Sequence, residues 1–132
     1  DIEPFLVGSA IDCIVAQRLA RRLCDRCKEQ YLASPTEVAY LSGSDDPSLA
    51  EKPIFRPVGC TSCSNTGYRG RLAIHEVMPV NEEIERMAVA RASSSDIARA
   101  AKAHGMRSLR EDGWLKVSLG VTSMEEILRV VA

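Results

Sequence analysis

A chain of 132 residues suffices for one domain that buries roughly two thirds of its unfolded surface, and is too short for a second independent one. With 45% hydrophobic and 27% charged residues the composition is that of an ordinary soluble globular protein, and no run approaches the ~18 apolar residues of a membrane span. A formal net charge of −1 argues against a dedicated nucleic-acid binder, which carries a marked basic excess.

After Asp1-Ile2-Glu3-Pro4, residues Leu6, Ala10, Ile11, Ile14, Val15 and Leu19 recur at helical spacing, which predicts an amphipathic helix over residues 1–23. The periodicity is complete from the first residues, as expected of a segment cut from something longer. Cys13 falls inside this pattern and reads as a small core residue.

Next come two cysteine knuckles, Cys24-Asp25-Arg26-Cys27 and Cys60-Thr61-Ser62-Cys63, separated by 32 residues. Two residues between thiols let both sulfurs face one point, and two such knuckles complete a tetrahedral S4 shell of the kind that suits Zn2+. The separation exceeds that of the commonest zinc ribbons. A disulfide reading would require an oxidising compartment, yet no secretory signal is present and Cys13 is left over. A thioredoxin-like centre needs one such knuckle between a strand and a helix, whereas Cys24 is expected to follow a helix and Cys60 follows a glycine. Spacing alone fits a rubredoxin-like iron as well as zinc; zinc is preferred as the commoner occupant. Arg18, Arg21, Arg22, Arg26, Lys28, Arg69 and Arg71 surround the knuckles, and they are expected to offset the formal −2 charge of a metal tetrathiolate rather than to form a nucleic-acid patch.

Between the knuckles, Ser34-Pro35-Thr36-Glu37 is a capping box with Pro at the first helical position, so a short helix with Val38 and Leu41 inward should follow. The run Gly43-Ser44-Asp45-Asp46-Pro47-Ser48 predicts an exposed turn-rich loop. Ile54, Phe55 and Val58 suggest a short strand, confined to an edge by Pro53 and Pro57. Beyond Asn65-Thr66-Gly67-Tyr68-Arg69-Gly70-Arg71, residues 72–78 read as a strand. His75-Glu76 begins like a metalloprotease motif, but no second histidine follows at the required spacing, and His75 reads as a satisfied structural side chain. Four tail helices are then expected. Asn81 starts one with Ile84 and Met87 inward, and Ser93 starts another with Ile97, Ala100 and Ala101 inward, closed by Gly105. A third begins near Ser108 with Leu109, Leu115 and Leu119 inward, and Thr122-Ser123-Met124-Glu125-Glu126 starts the last, burying Met124, Ile127, Leu128 and Val131. Together they should form a small helical bundle.

Neither GxxxxGK[ST] nor GxGxxG occurs, and no Ser/His/Asp or Cys/His set stands out among a chain with two histidines. However, Glu3-Pro4-Phe5-Leu6, Ala16-Gln17-Arg18-Leu19-Ala20-Arg21-Arg22-Leu23-Cys24, Gly59-Cys60 through Cys63, Thr66-Gly67-Tyr68-Arg69-Gly70-Arg71, Ile74-His75-Glu76 and the run from Gly105 to Gly113 together resemble the C-terminal end of the secretion ATPases that drive type II secretion and type IV pilus assembly. The resemblance implies an α+β fold: a zinc-stapled subdomain with short strands plus a C-terminal helical bundle, a fragment of a RecA-like P-loop ATPase domain. The implied divisions are residues 1–23, a helix from the end of the ATPase core; 24–71, the tetracysteine zinc subdomain; and 72–132, a strand with the terminal helices.

In such a family Cys24, Cys27, Cys60 and Cys63 match structural zinc ligands. ATP and Mg2+ belong to machinery upstream, so no catalytic or nucleotide-binding residue is expected in this chain. Arg18 and Arg21 are placed near the nucleotide region or a neighbouring subunit. The parent would be a cytoplasmic hexamer at the inner face of the bacterial inner membrane, acting on a membrane platform protein, without nucleic acid and without membrane insertion. A free-standing zinc-ribbon adaptor for protein or nucleic acid is the alternative.

Overall fold

A computed structural model describes residues 2–131; Asp1 and Ala132, the outer ends of the expected divisions, lie outside the described residues. Helix α1 spans Pro4–Ala10 and strand β1 Cys13–Leu23. Strand β2 (Glu29–Tyr31), helix α2 (Pro35–Ser42), a 3₁₀ turn at Pro47–Glu51, and strand β3 (Ile54–Arg56) follow. A second 3₁₀ turn at Thr61–Cys63 leads into strand β4 (Tyr68–Pro79). The chain ends with α3 (Glu82–Val89), α4 (Ser94–Ala103), α5 (Leu109–Ser118) and α6 (Met124–Val131). The described residues thus mix helix with two small sheets, as the α+β reading expects.

The helix expected over residues 1–23 stops at Ala10. Pro4 at the first helical position starts it, and from Cys13 the chain is a strand paired with β4. Asp12 C=O accepts from Val80 N–H at 2.8 Å near one end, and Cys24 N–H donates to Gly67 C=O at 2.9 Å at the other, so the strands run antiparallel. Ile11, Ile14 and Val15 fit either period, and their β-branched side chains favour the strand once a partner supplies the ladder. That partner lies more than forty residues away, beyond the reach of local periodicity. Cys13 is exposed rather than in the core, at the start of a strand most of whose residues are exposed.

The chain divides into two compact units. The first holds the described residues of Asp1–Ala16 together with His75–Ser108. In it α1 packs on α3 and α3 on α4, with Gly8 buried against Glu85 and Ile84 buried. Asn81 Oδ1 accepts from Ile84 N–H at 2.9 Å and Ser93 Oγ from Asp96 N–H at 3.1 Å, so both predicted caps form. His104 Nε2 lies 2.6 Å from the Glu83 carboxylate, joining the end of α4 to the first turn of α3.

The second unit holds Gln17–Ile74 and the described residues of Leu109–Ala132. Its core gathers Ala20, Val38, Leu41, Ile54, Ile74, Val117, Met124 and Ile127. Helix α2 carries the predicted capping box, with Ser34 Oγ accepting from Glu37 N–H and the Glu37 carboxylate accepting from Ser34 N–H, and Gly43 closes it in the left-handed region. β2 and β3 pair antiparallel, Gln30 opposite Phe55. Helix α5 packs on α2 and α6, and at Gly113 a Cβ would stand 2.4 Å from the Ile127 side chain, so only glycine permits this approach.

The four tail helices therefore do not make one bundle: α3 and α4 belong to the first unit, α5 and α6 to the second. Helices α5 and α6 do pack on each other, and α5 packs on α2 and β3 as well. Leu119, expected inward, is 65% exposed, because α5 ends at Ser118 and Val117 takes the core position.

Two charged residues of this unit are buried, Asp112 and Glu126. The Glu126 side chain is 1% exposed, accepts from Arg21 N–H at 3.0 Å and from the Arg21 guanidinium at 2.9 Å, and is paired also with Arg129. Burial pushes its carboxyl upward, but the Arg129 and Arg21 guanidiniums and the Arg21 N–H outweigh that and hold it down at about 2. A carboxylate held below its unfolded value stabilises the fold above that value and loses the contribution as pH falls through its folded value. The loss should run between pH 4.5 and about 2. With both arginines half exposed to screening solvent, it should amount to about 2–3 kcal/mol. Denaturant unfolding across that window should show a stability slope that Glu126→Gln flattens; an unchanged slope would remove Glu126 as its source.

Candidate metal centre

The first knuckle begins where β1 ends. Leu23 and Cys24 are buried, Leu23 N–H donates to Val121 C=O, and Cys24 C=O accepts from Cys27 N–H and Lys28 N–H at 3.3 and 3.0 Å, folding residues 24–28 into a tight turn. The second knuckle is the 3₁₀ turn, with Cys60 C=O accepting from Cys63 N–H at 3.3 Å and Asn65 N–H at 2.8 Å. Ser64 and Asn65 then take left-handed conformations (φ 54° and 61°), a costly pair for residues with a Cβ. They turn the chain back so that Gly67 N–H reaches the Cys63 sulfur at 3.2 Å. Gly67 itself has φ +82°, and a Cβ there would lie 2.4 Å from Pro57 Cβ.

The four Sγ atoms lie within 4.8 Å of one another. Cys24–Cys60, Cys27–Cys63 and Cys60–Cys63 are each separated by 3.8 Å. A tetrahedron of sulfurs about 2.3 Å from a central ion has edges of about 3.8 Å, whereas a disulfide requires about 2.05 Å. The donor set therefore fits a tetrahedral thiolate-bound cation and excludes paired disulfides in this arrangement. Cys24 and Cys63 are buried, and Cys27 and Cys60 partly so.

Backbone donors converge on the sulfurs. Gly59 N–H reaches Cys27 Sγ and Cys60 N–H reaches Cys63 Sγ, both at 3.3 Å. At Cys63 burial pushes the thiol up, but the N–H groups of Cys60 and Gly67 prevail and bring it down to about 6. At Cys27 the Gly59 N–H favours the thiolate, yet desolvation and the neighbouring sulfurs of Cys63, Cys60 and Cys24 raise it to about 11. One site favours the thiolate and its neighbour resists it, the behaviour of crowded like charges, which a cation among them would relieve.

The redox reading fails for a reason other than the one expected. Cys24 follows strand β1, not a helix, but the chain leaves Cys27 toward β2 and opens no helix. Among the described residues the four predicted cysteines form the one such cluster; His75 lies on β4 of the first unit, exposed and engaged elsewhere. The surrounding cations do more than offset charge. Arg21 is committed to Glu126, Lys28 to Asp25 at 3.2 Å and to Gly120 C=O at 2.9 Å, and Arg69 to Ser62 Oγ at 3.2 Å.

Several site residues escaped the sequence reading. Tyr68 OH meets Ser123 Oγ at 2.6 Å, and the Arg21 guanidinium stacks 4.1 Å above the Tyr68 ring. The signal for Ser123 was present as a capping box, and Ser123 does accept from Glu126 N–H. The Glu126 carboxylate, however, leaves the box and caps Arg21 N–H instead. Nothing local in the sequence announces that exchange.

The family model for the type II/IV secretion system protein matches residues 1–129. The chain is 38% identical over 127 residues, 96% of its length, to the type IV pilus assembly ATPase PilB of Thermus thermophilus, of which it covers 14%. It is 41% identical over 129 residues, 98% of its length, to the type II secretion system protein E of Pseudomonas aeruginosa, of which it covers 25%. To the type II secretion system ATPase E of Vibrio cholerae it is 36% identical over 129 residues, covering 98% of the chain and 25% of that protein. The chain thus spans a quarter or less of the length of these relatives. By the extent of these matches and the tetracysteine cluster they include, the chain belongs to the type II/IV secretion system protein family.

Proposed function

We propose that this chain is the C-terminal zinc-binding part of a hexameric secretion or pilus-assembly ATPase that powers type II protein secretion or type IV pilus extension. Its role there is structural and inter-subunit. The observation that carries the metal assignment is the set of 3.8 Å sulfur separations, which matches the edge of a thiolate tetrahedron. Cys24, Cys27, Cys60 and Cys63 hold Zn2+ in this reading. Four thiolates leave no open position, so the ion supplies a cross-link and charge neutralisation rather than a polarising site for substrate.

Residues 24–71 form the zinc subdomain of that parent, and ATP and Mg2+ act in its RecA-like P-loop portion. The parent works at the cytoplasmic face of the inner membrane against a platform protein. No helix of the described residues is long and apolar enough to cross a membrane. Family membership and similarity to proteins named as secretion and pilus ATPases support this assignment.

Elemental analysis of protein purified without chelator should find about one zinc per chain, unchanged by Cys13→Ser; less than half an equivalent would sink the metal assignment. Cys24→Ser, or a strong chelator, should remove hydrogen-exchange protection from the knuckles. Protection should fall equally in α2, α5 and α6, which share their core, while α3 and α4 keep theirs. Loss in α3 and α4 as well would show one cooperative unit instead.

Gly67→Ala forces a left-handed φ on a side chain that also collides with Pro57, and displaces the N–H that Cys63 accepts. Zinc affinity, read by competition with a chromophoric chelator, should drop at least tenfold. Isothermal calorimetry should detect no micromolar ATP binding to this chain, since it has no phosphate-cradling loop; a measurable micromolar constant would contradict the assignment of nucleotide binding to the rest of the parent.

A further inference from the structure

The turn between α5 and α6 is stitched to the first knuckle at four points. Leu23 N–H donates to Val121 C=O at 2.9 Å, and Thr122 Oγ1 donates to Arg21 C=O at 2.8 Å. Arg21 N–H donates to Glu126 Oε1 at 3.0 Å, and Lys28 Nζ donates to Gly120 C=O at 2.9 Å. The first three bonds use backbone groups of residues 21 and 23, immediately before Cys24. The fourth grips the residue immediately after Cys27. Thr122 and Ser123 are buried with Glu126, so these contacts are shielded from water.

We infer that residues 120–126 are a positioning element of the metal centre: they hold Cys24 and Cys27 in ligating geometry, so metal affinity and the docking of α6 rise and fall together. The inference rests on the metal reading given above. The physical basis is that a ligand's orientation depends on groups outside the ligand set. From the other side the segment from Cys24 to Cys27 is held by its own turn, by the bond from Cys24 N–H to Gly67 C=O and by Gly59 N–H on Cys27 Sγ. Linkage makes the effect reciprocal: whatever factor α6 docking adds to metal affinity, the metal adds to α6 docking. Thr122 and Glu126 are positioning residues here, and neither offers a ligand atom to the cluster.

Cobalt(II) alone serves as the probe, added to the metal-free chain, with thiolate charge-transfer and tetrahedral d–d bands as the signature. Thr122→Val combined with Glu126→Gln should weaken cobalt and zinc affinity by about tenfold or more. Ile127→Ala trims the same helix in the core without touching the stitches, and should leave affinity within about twofold at a comparable loss of stability. In the reverse direction, chelation should raise hydrogen exchange at the amides of Leu23 and Glu126. Equal affinity losses in the double variant and in Ile127→Ala would overturn the inference by showing a general stability effect. Wild-type affinity in the double variant would overturn it while leaving the metal reading intact. A wild-type chain that develops no thiolate charge-transfer band overturns both, and is told apart by that absence.

Discussion

The second unit is built around a problem of charge. Four sulfurs within 4.8 Å cannot all be thiolates at neutral pH without a cation among them, and as thiols they offer only weak hydrogen bonds. The surrounding backbone is arranged for the charged form, with the N–H groups of Gly59, Cys60 and Gly67 aimed at sulfur. To aim them, the chain accepts left-handed Ser64 and Asn65 and a glycine pressed against Pro57. Such strain persists only where the surrounding structure over-determines it. A metal-bound cluster gives that over-determination, because it fixes both knuckles at once.

The rest of the unit explains why a staple is useful there. Its core is drawn from segments far apart in the chain: Ala20, Val38, Leu41, Ile54, Ile74, Val117 and Ile127. The β2–β3 pair has three residues per strand, too few to stand alone. A metal cross-link between residues 24–27 and 60–63 would close the intervening loop and reduce the entropy lost when β2, α2 and β3 order.

What could be read from the sequence was what short range decides. The capping box at Ser34, the Asn81, Ser93 and Ser123 caps, and the cysteine spacing each involve residues three or four apart, and each formed. Most of the failures were decided at long range. Strand β1 looked helical because Ile11, Ile14 and Val15 satisfy both periods, and its partner β4 lies far along the chain. Leu119 was placed inward by extending a helical phase one residue past the helix end. The tail helices were grouped by adjacency in sequence; α5 and α6 do pack together, but α3 and α4 belong to the other unit and α5 also packs on α2 and β3. At the site, the four ligand candidates were plain, but Arg21, Tyr68, Thr122 and Glu126 meet only through the fold.

The buried Glu126 illustrates what a charged group can add that an apolar one cannot. An apolar residue of similar volume in α6 could give equal stability, since desolvating a carboxylate consumes much of what its partners return. It would not, however, choose a register. The outer edge of a strand offers the same N–H and C=O pattern every two residues, so residues 17 and 19 of β1 present α6 with backbone groups equivalent to those of residue 21. Only residue 21 adds a guanidinium, and that guanidinium is already braced on the Tyr68 ring, whose hydroxyl in turn meets Ser123. A shift of α6 by two residues would leave a buried carboxylate facing Leu19 and a buried threonine without its acceptor, costing several kcal/mol. The charge thus places the C-terminal helix at one position along β1, the position adjacent to Cys24.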